Sequence, residues 1–298
     1  MGAETPVILP DQKIVFLRTV KSLPPVFTDQ EWESIKSKHY IHETGAINNI
    51  CPGYAGTIRH GLDWEKQRCL RSLEKADEKQ KEFLRCVIDS IDAVLRLTRR
   101  YRLEALRRGD TEVADILSRI PKNGAKTFRE ALQFLRILHF TLWCEGEYQI
   151  TVGRFDQYMS DYLKADLDSG QLDLQQALEL LEEFFISFNI DSDLYPGVQQ
   201  GDNGQSMMLG GVDSNGEEAY NLLSELCLKA SCELKLIDPK INLRVSSKTP
   251  LSVFESGTRL TREGLGFPQY SNDDIVIDGL VKKGYSLEDA RDYTVAAC

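Results

Sequence analysis

The chain ends with Gly264-Leu265-Gly266-Phe267-Pro268-Gln269-Tyr270-Ser271-Asn272-Asp273, a helical interval, and Gly284-Tyr285-Ser286-Leu287-Glu288-Asp289-Ala290-Arg291-Asp292-Tyr293-Thr294-Val295-Ala296-Ala297-Cys298. The glycines and the proline predict a tight, bent loop. Asn272 and Asp273 are predicted to cap a helix that begins near Ile275, and Gly284 is predicted to end it. Ser286 should open a second short helix with acids in its first turn.

Cys298 follows a run of small and β-branched residues. A cysteine in such a place is most often a small buried side chain. The alternative is a thiol delivered to an active site. The residues of this stretch alone leave both interpretations open.

This terminal stretch resembles the cysteine-loop approach of the glycyl radical enzymes, the pyruvate formate-lyase superfamily. The matching positions are Gly266, Pro268, Asn272, Asp273, Gly284, Ser286, Glu288, Asp289, Ala290, Arg291, Asp292, Tyr293 and Cys298. Ala297 stands where the family usually has Gly or Cys. The family's Glu two residues after the cysteine, and its radical glycine, are not among these 298 residues.

Further family motifs lie upstream in the same order. They are Pro121-x-x-x-Ala125-x-Thr127-Phe128-x-Glu130-Ala131-Leu132-Gln133, Gly153-Arg154-Phe155-Asp156-Gln157, Gln205-x-x-x-Leu209-Gly210-Gly211, and Pro239-x-Ile241-x-x-Arg244-Val245 before Thr249-Pro250. The resemblance is continuous from about Arg119 to Cys298 and weaker before that. In having a single cysteine here rather than a Cys-Cys pair, the chain resembles the lyases, eliminases and decarboxylases of the family more than pyruvate formate-lyase itself.

The resemblance implies an α/β fold, half of a ten-stranded α/β barrel with surrounding helices. The alternation of helix and strand patterns independently predicts parallel strands. We expect one barrel-type domain over residues 1–298, truncated at both ends and without the glycine-radical domain.

The resemblance also implies the chemistry. A separate radical SAM activase installs a radical on the family's glycine, which takes a hydrogen atom from the Cys298 thiol. The thiyl radical then attacks a C–H bond of a small polar substrate, and a C–O, C–N or C–C bond breaks. No bound cofactor and no metal are expected in this chain.

The candidate substrate-binding residues are polar. The resemblance places Asn49 where relatives have a substrate-facing histidine, and Tyr148 and Gln149 just before the Gly-Arg-Phe-Asp-Gln motif. It also places Asp202 and Asn203 in a loop facing the substrate, although a flexible polar loop is the alternative. Glu147 is held open as a further member, because a buried carboxylate is costly unless it has a task.

Composition limits the possible partners. A formal charge of −10 and a pI near 5.1 argue against general binding to nucleic acid or anionic membranes. No apolar run approaches a membrane span. The seven cysteines lack metal or iron–sulfur spacing and predict reduced thiols in a cytoplasm. His39 and His42 lack a third ligand, and Pro196 breaks the only calcium-like loop.

Several local structures are predicted. Ile14-Val15-Phe16-Leu17 is a candidate short strand, with Phe16 where the family often has glycine. Thr127 should cap a helix with one apolar stripe (Phe128, Leu132, Leu135, Leu138, Leu142). Arg154 and Asp156 should form a charge pair at a strand-to-helix junction. The arginines between 96 and 108 should form a solvated face paired with Glu104 and Glu112.

Other functions stay open. The chain could be one piece of a split enzyme completed by another chain, a homodimer, or an inactive binding or scaffold protein. A formate acetyltransferase-like activity is a further alternative. A metal-dependent hydrolase is disfavoured, because spaced histidine and carboxylate ligands are missing.

Overall fold

A computed structural model of the chain describes residues 1–19, 28–38, 49–144, 149–190 and 204–296. Its helices are α1 Asp29–Ser37, α2 Tyr54–His60, α3 Leu62–Leu73, α4 Glu78–Arg108, α5 Thr111–Arg119, α6 Phe128–Cys144, α7 Phe155–Asp168, α8 Leu174–Asn189, α9 Leu222–Leu234, α10 Leu251–Arg262, α11 Asp273–Lys282 and α12 Leu287–Arg291. Its strands are β1 Asn49–Ile50, β2 Gln149–Ile150, β3 Gly153–Arg154, β4 Ser206–Gly210, β5 Lys240–Val245 and β6 Gln269–Asn272.

All strand pairs in these ranges are parallel. Strands β3, β4, β5 and β6 lie side by side in chain order, and β1 pairs with β2. Helices connect the successive strands of the larger sheet, as parallel pairing requires. The predicted alternation of helix and strand is therefore confirmed.

The two sheets are joined through the short chain between β2 and β3. The Thr151 amide donates to the Ile50 carbonyl over 3.0 Å, and the next amide, Val152, donates to Ser206 over 2.9 Å. The chain thus leaves its pairing with β1 and begins pairing with β4 within one residue. In the described residues this gives five adjacent parallel paths, which agrees with half of a ten-stranded α/β barrel.

Side-chain caps fix where the helices begin. Asp77 accepts from the Gln80 amide to start α4, and Asp173 does the same with Gln176 to start α8. The Glu130 amide donates to Thr127 Oγ1 over 3.2 Å, so the predicted cap of α6 is confirmed. Polar side chains thereby satisfy amide groups that the first turn of a helix leaves without partners.

Helix α6 is the central helix of the core, and the predicted single apolar stripe underestimates its burial. Phe128, Leu132 and Leu135 are fully buried, but so are the polar side chains of Arg136 and His139. Arg136 is covered by residues 14–17, and His139 is hydrogen bonded to Gln205, on the side that the pattern assigned to solvent. Leu138 and Leu142, by contrast, are only partly buried.

Residues 14–17 are buried but do not form the predicted strand. The Gln133 side chain replaces a strand neighbour: its Oε1 accepts from the Val15 amide over 2.8 Å and its Nε2 donates to the Val15 carbonyl over 3.2 Å. Arg136 donates twice to the Phe16 carbonyl, over 3.2 and 2.8 Å. Side chains of α6 therefore satisfy this backbone where a sheet would otherwise do so.

Phe16 has a φ of +93°, a conformation that favours glycine. Its ring is fully buried and stacked on Tyr101, with centroids 3.9 Å apart and planes at 14°. The site where relatives were expected to have glycine thus has the backbone of a glycine site, filled by an aromatic ring.

The arginines of α4 are only partly paired as predicted. Arg107 pairs with Glu104, with Nη2 and Oε1 2.6 Å apart. Glu112 instead pairs with Arg129, which lies outside the cluster. Arg100 donates to the Gly2 carbonyl over 3.3 Å and to the Glu4 carbonyl, so it holds the beginning of the chain.

None of the helices in the described ranges is both long and apolar enough to cross a membrane.

Candidate active site at the carboxyl ends of the strands

The carboxyl ends of β3 to β6 converge on the segment that follows α12. Arg154 comes from β3, Arg244 from β5, and Asp273 directly follows β6. Parallel strands present their carboxyl ends at one edge of a sheet, and ligands of open α/β sheets bind there. Residues 293–296, which lead to Cys298, have no helix or strand assignment.

Arg244 and Asp273 form a buried ion pair at this edge. Nε of Arg244 lies 2.8 Å from Oδ1 of Asp273, and Nη2 lies 2.9 Å from Oδ2. The two side chains are 0% and 1% exposed. The Val212 amide, 2.8 Å away, also donates to Oδ2 of Asp273. A buried pair is stable only with such two-point geometry and additional hydrogen bonds.

Asp273 does not act as the predicted cap of α11. Asn272 alone caps the helix, with its Oδ1 accepting from the Asp274 amide over 3.0 Å. The helix begins at Asp273, two residues before the predicted start near Ile275. Asp273 lies in the first turn, where the helix dipole also stabilises its carboxylate, while its side chain binds Arg244.

Tyr293 contacts both members of this ion pair. Its hydroxyl donates to Oδ1 of Asp273 over 2.8 Å, and the Arg244 guanidinium lies 4.0 Å from the centre of its ring. Burial, and then the hydrogen bond to Asp273, raise the pKa of Tyr293. The phenol therefore stays protonated as a hydrogen-bond donor at neutral pH.

Arg244 also holds the terminal backbone directly. Its Nη2 donates to the Arg291 carbonyl over 2.8 Å, and its Nη1 donates to the Tyr293 carbonyl over 3.1 Å. Arg154 reaches the same Arg291 carbonyl over 3.2 Å. Two arginines from two strands thus donate to a single carbonyl, seven residues before Cys298.

The predicted charge pair of Arg154 with Asp156 is wrong, although the strand-to-helix junction is present. Arg154 pairs with Asp292, with Nη1 and Oδ1 3.1 Å apart. Asp156 accepts instead from the Gly210 amide over 2.7 Å and from Ser224 Oγ over 2.6 Å. Both residues hold neighbouring parts of the fold in place rather than each other. Burial raises the pKa of the Asp156 carboxyl.

Gly211 makes room for the ion pair. A Cβ atom at this residue would lie 2.5 Å from Nε of Arg244 and 2.7 Å from Oδ2 of Asp273. Its φ of +79° is also one that side-chain-bearing residues rarely adopt. The second glycine of the Leu-Gly-Gly motif is therefore required by the charged cluster.

The face of the sheet turned away from the helices carries polar residues. Ile241, Leu243 and Val245 of β5 belong to the apolar core. Side chains alternate along a strand, so Lys240, Asn242 and Arg244 point to the opposite face. The register places Met208 and Gln269 beside Asn242, and Gly210 and Ser271 beside Arg244. Central strands of a parallel sheet are usually apolar on both faces, so this polar row marks the face suited to a substrate.

His139 of α6 contributes a buried polar contact at the other end of β4. Its Nε2 is hydrogen bonded to Oε1 of Gln205, the first residue of the Gln-x-x-x-Leu-Gly-Gly motif. Burial, with a smaller contribution from the Arg136 guanidinium, lowers the pKa of His139 to about 3. The ring is therefore neutral and donates from Nε2 to the amide oxygen.

Two of the predicted substrate-binding residues are brought together by the backbone. Asn49 and Gln149 are direct partners in the parallel pairing of β1 with β2, although they are 100 residues apart in sequence. Cys298, Glu147, Tyr148, Asp202 and Asn203 lie outside the described residues, as do His39, His42 and Pro196. Their assigned roles stay predictions.

In the described ranges no group of three or more histidine, cysteine, aspartate or glutamate side chains could hold a metal ion. The six cysteines in those ranges are free thiols.

The sequence interpretation missed the role of Arg244 and Asp273. Both had been noted, as a motif residue and a helix cap, but not as partners. A usable signal was present in Lys240-Ile241-Asn242-Leu243-Arg244-Val245, where polar and apolar residues alternate strictly. In a strand flanked by helices this pattern indicates a polar second face.

The chain matches a family model described as "Pyruvate formate lyase-like" over residues 24–298. This match begins well before Arg119, where the motif resemblance was expected to weaken. It covers both the paired strands β1 and β2 and the Arg244–Asp273 cluster.

Curated relatives include dehydratases and lyases. The chain is 28% identical over 290 residues to (2S)-3-sulfopropanediol dehydratase of Klebsiella oxytoca, a match covering 89% of this chain and 35% of that protein. It is also 28% identical over 302 residues to isethionate sulfite-lyase of Oleidesulfovibrio alaskensis, covering 89% of this chain and 36% of the relative. The chain thus spans about a third of the length of these relatives.

A solved structure shows the same fold. The glycerol-bound B12-independent glycerol dehydratase from Clostridium butyricum superposes with a TM-score of 0.76 at 30% identity. The superposition covers 90% of this chain and 37% of the dehydratase chain.

Proposed function

The chain belongs to the pyruvate formate lyase-like family, and from that premise we propose that it forms the cysteine-bearing part of a glycyl radical lyase or dehydratase. The observation that carries this proposal is the anchoring of the segment before Cys298. Arg154 and Arg244 donate to its carbonyls at the carboxyl ends of the strands. We propose that this anchoring brings Cys298, seven residues after the first anchored carbonyl in sequence, to the edge of the polar face.

In this proposal Cys298 is the group that exchanges hydrogen atoms with the substrate. The family's radical glycine, installed by a radical SAM activase, supplies the site that takes the hydrogen atom from the Cys298 thiol. Cys298 then takes a hydrogen atom from a substrate carbon, which weakens the neighbouring C–O, C–N or C–C bond. After that bond breaks, the thiol returns a hydrogen atom to the product radical and becomes a thiyl radical again. The thiyl radical then takes a hydrogen atom back from the glycine, which restores both the thiol and the glycyl radical.

The remaining residues bind and orient the substrate. We assign this role to Asn49 and Gln149, whose backbones are paired, and to Glu147, Tyr148, Asp202 and Asn203. Ser206 and Asn242 of the polar face are added to this set, since both are buried and both point away from the apolar core. These groups favour a small polar substrate, because buried polar groups must be hydrogen bonded. Correct placement of the reacting atoms is the main contribution a protein makes to such chemistry.

The family's radical glycine is not among these 298 residues, so we propose that it is supplied by protein beyond them. The gene is first read past codon 298 to find a segment that encodes this glycine. That segment, joined to this chain or expressed beside it, is then combined anaerobically with activase, S-adenosylmethionine and reductant. Glycerol, 1,2-propanediol, isethionate and hydroxyproline form a first substrate panel.

The Cys298→Ala variant separates formation of the glycyl radical from hydrogen-atom transfer with the substrate. We expect the glycyl radical signal in electron paramagnetic resonance to persist in this variant, while substrate turnover falls by more than about a thousandfold, since the attacking group is gone. Cys86→Ala is the matched control, because Cys86 is exposed on α4. Turnover by the Cys298→Ala variant at the wild-type rate would exclude the proposal.

A second candidate function is favoured by the exposed edge strand β6. Strands β4 and β5 are buried throughout. Within the described ranges, β6 pairs with β5 alone, and it is largely exposed. Large apolar side chains of β6 and of the residues after it are also exposed, with Tyr270 at 43%, Ile275 at 69% and Tyr285 at 57%. An unpaired strand edge flanked by apolar residues is suited to another strand. This supports a role as one component of a split enzyme.

The split-enzyme candidate is tested by association. The polypeptide that follows the matched region in a relative is expressed separately, and its binding to this chain is measured by calorimetry. We expect Ile275→Lys to weaken binding at least about tenfold, because it places a charge in the apolar contact. Leu174→Lys is the control, since Leu174 is 52% exposed on the distant helix α8. Equal binding by both variants would show that the β6 edge is not used.

A further inference from the structure

The segment between α12 and Cys298 is held by side chains rather than by backbone pairing. Asp292 is the last residue whose amide joins a helix turn, donating to Glu288 and Asp289. Among the described residues, 293–296 make no backbone–backbone hydrogen bond. These four residues are neither buried nor fully exposed. The course of the chain after residue 292 therefore depends on whatever binds it from the sheet.

Arg244 supplies most of that binding. Four of its hydrogen bonds divide evenly, two to the Asp273 carboxylate and two to the carbonyls of Arg291 and Tyr293. Asp273 fixes the plane of the guanidinium, since a two-point contact leaves it no rotation. The Arg244 N–H groups that donate to the terminal segment are therefore held in the orientation that this binding needs.

Tyr293 is bound to the same two residues by its side chain. The ring stacks on the Arg244 guanidinium and the hydroxyl donates to Asp273. Its backbone carbonyl and its side chain are thus held together, five residues before Cys298. Two contacts on one residue fix both its position and its rotation.

Arg154 is the second arginine that binds the terminal segment, and the segment in turn separates its charge from that of Arg244. Burial, and next the like charge of Arg244, lower the pKa of Arg154. The Arg291 carbonyl accepts from both guanidiniums and Asp292 pairs with Arg154. If the segment left, two nearby cations would lose the acceptors between them, so its departure is strongly opposed.

We propose that Arg244 and Asp273 are positioning residues for Cys298, acting by holding the Arg291 and Tyr293 carbonyls in place. This inference rests on the proposed function of Cys298. In this proposal neither residue binds the substrate. Their effect is on where the thiol lies relative to the polar face of the sheet.

Backbone hydrogen exchange tests the positioning directly in this chain. Mass spectrometry compares the wild type with Arg244→Lys and Tyr293→Phe. It follows a terminal peptide from residue 287 to 298, in which the hydrogen-bonded amides are those of the α12 turn up to Asp292, and a reference peptide from α7. Lysine cannot make the two-point contact with the carboxylate while also donating to two carbonyls. We expect exchange in the terminal peptide to be about tenfold faster in Arg244→Lys. Tyr293→Phe, which loses one hydrogen bond, should give about a threefold increase.

The reference peptide separates positioning from support of the whole fold. Unchanged exchange in α7, with faster exchange in the terminal peptide, is the expected result. The proposal is overturned if the terminal peptide exchanges at the wild-type rate in both variants. It is also overturned if exchange rises equally in both peptides in both variants, because the pair would then stabilise the fold in general.

In the active, completed enzyme, Arg244→Lys should lower kcat with KM changed less than about twofold, because it moves the thiol and not the bound substrate. Hydrogen exchange does not depend on turnover. If Cys298→Ala keeps turnover while the exchange result is as expected, the function of Cys298 fails but the anchoring of its segment stands.

Discussion

Two irregular segments of this protein are held by arginine side chains, and they differ in what surrounds them. At the beginning of the chain, Arg136 donates to the Phe16 carbonyl and lies 5.2 Å from the centre of the Trp143 ring. At the end, Arg244 donates to the Tyr293 carbonyl and lies 4.0 Å from the centre of the Tyr293 ring. In both segments an arginine donates to a backbone carbonyl and lies close to an aromatic ring.

The two segments differ in how much apolar burial stabilises them. Ile14, Val15 and Phe16 are at most 1% exposed and belong to the main core. Residues 293–296 are only partly buried, and a cavity of about 430 Å³ lies beside Asp273 and Arg291. The first segment is therefore stabilised by burial as well as by hydrogen bonds, while the second depends on a charged cluster.

This difference suits the proposed roles. A segment that only completes the core can be held by nonspecific apolar contact. A segment that places a reactive thiol needs direction, which hydrogen bonds and a two-point ion pair supply.

The largest expected effect comes from breaking the charged cluster. Arg244→Met should lower the free energy of unfolding by about 3–5 kcal/mol, because it leaves the Asp273 carboxylate buried without its cation. Urea denaturation followed by circular dichroism measures this loss. Arg259→Met, at an exposed arginine of α10, should change the free energy by about 0.5 kcal/mol or less.

Adding Asp273→Leu to Arg244→Met removes the stranded charge as well. The double variant should be no less stable than Arg244→Met alone, although each single change is destabilising. Additive losses would contradict the assignment of the two residues as one buried pair.

In the first segment the corresponding loss should come from apolar contact and backbone strain. Phe16→Ala should lower the free energy of unfolding by about 3 kcal/mol through loss of the ring packed on Tyr101 and Phe140. Phe16→Gly should cost about 1 kcal/mol less, because glycine accepts the φ of +93° that alanine tolerates poorly. Thermal and urea unfolding of the two variants measure the difference.

Val15 provides the matched comparison. It is equally buried, but it is not among the residues with positive φ. There the order should reverse, with Val15→Gly less stable than Val15→Ala. If glycine is worse than alanine at both residues, the backbone of Phe16 is not strained.

The last expected effect is a pH dependence of stability on the α6 side of the comparison. His139 has a pKa of about 3 in the folded chain and about 6.5 when unfolded. As pH falls below 6.5, the unfolded state binds a proton that the folded state does not, so stability is lost down to about pH 3. Between pH 7 and pH 5 the wild type should lose about 2 kcal/mol more than His139→Gln.

His60→Gln is the control for this measurement, since His60 is an exposed residue stacked on Trp64. It should keep the wild-type pH slope. An equal slope in His139→Gln and the wild type would show that the buried ring is not the cause.

The sequence by itself determined the parts of the fold that depend on local patterns. The helix caps at Thr127, Asn272 and Ser286 follow from a polar side chain three or fewer residues before the amide that it accepts from. Strand β5 lies within the Pro239-x-Ile241-x-x-Arg244-Val245 motif, and its polar and apolar residues alternate without glycine or proline. The family follows from motif order along the chain, to which each motif contributes independently.

Only the tertiary structure decided which polar residues meet. Arg244 and Asp273 are 29 residues apart and Arg154 and Asp292 are 138 apart, and no local pattern specifies a partner at such distances. The expected Arg154–Asp156 pair was wrong because Arg154 pairs with Asp292, while Asp156 accepts from the Gly210 amide and Ser224. Likewise, nothing near residue 16 indicated that Gln133 and Arg136 would replace a neighbouring strand. Propensity and periodicity act over a few residues, whereas the satisfaction of buried charges and carbonyls is settled by which strands and helices finally pack together.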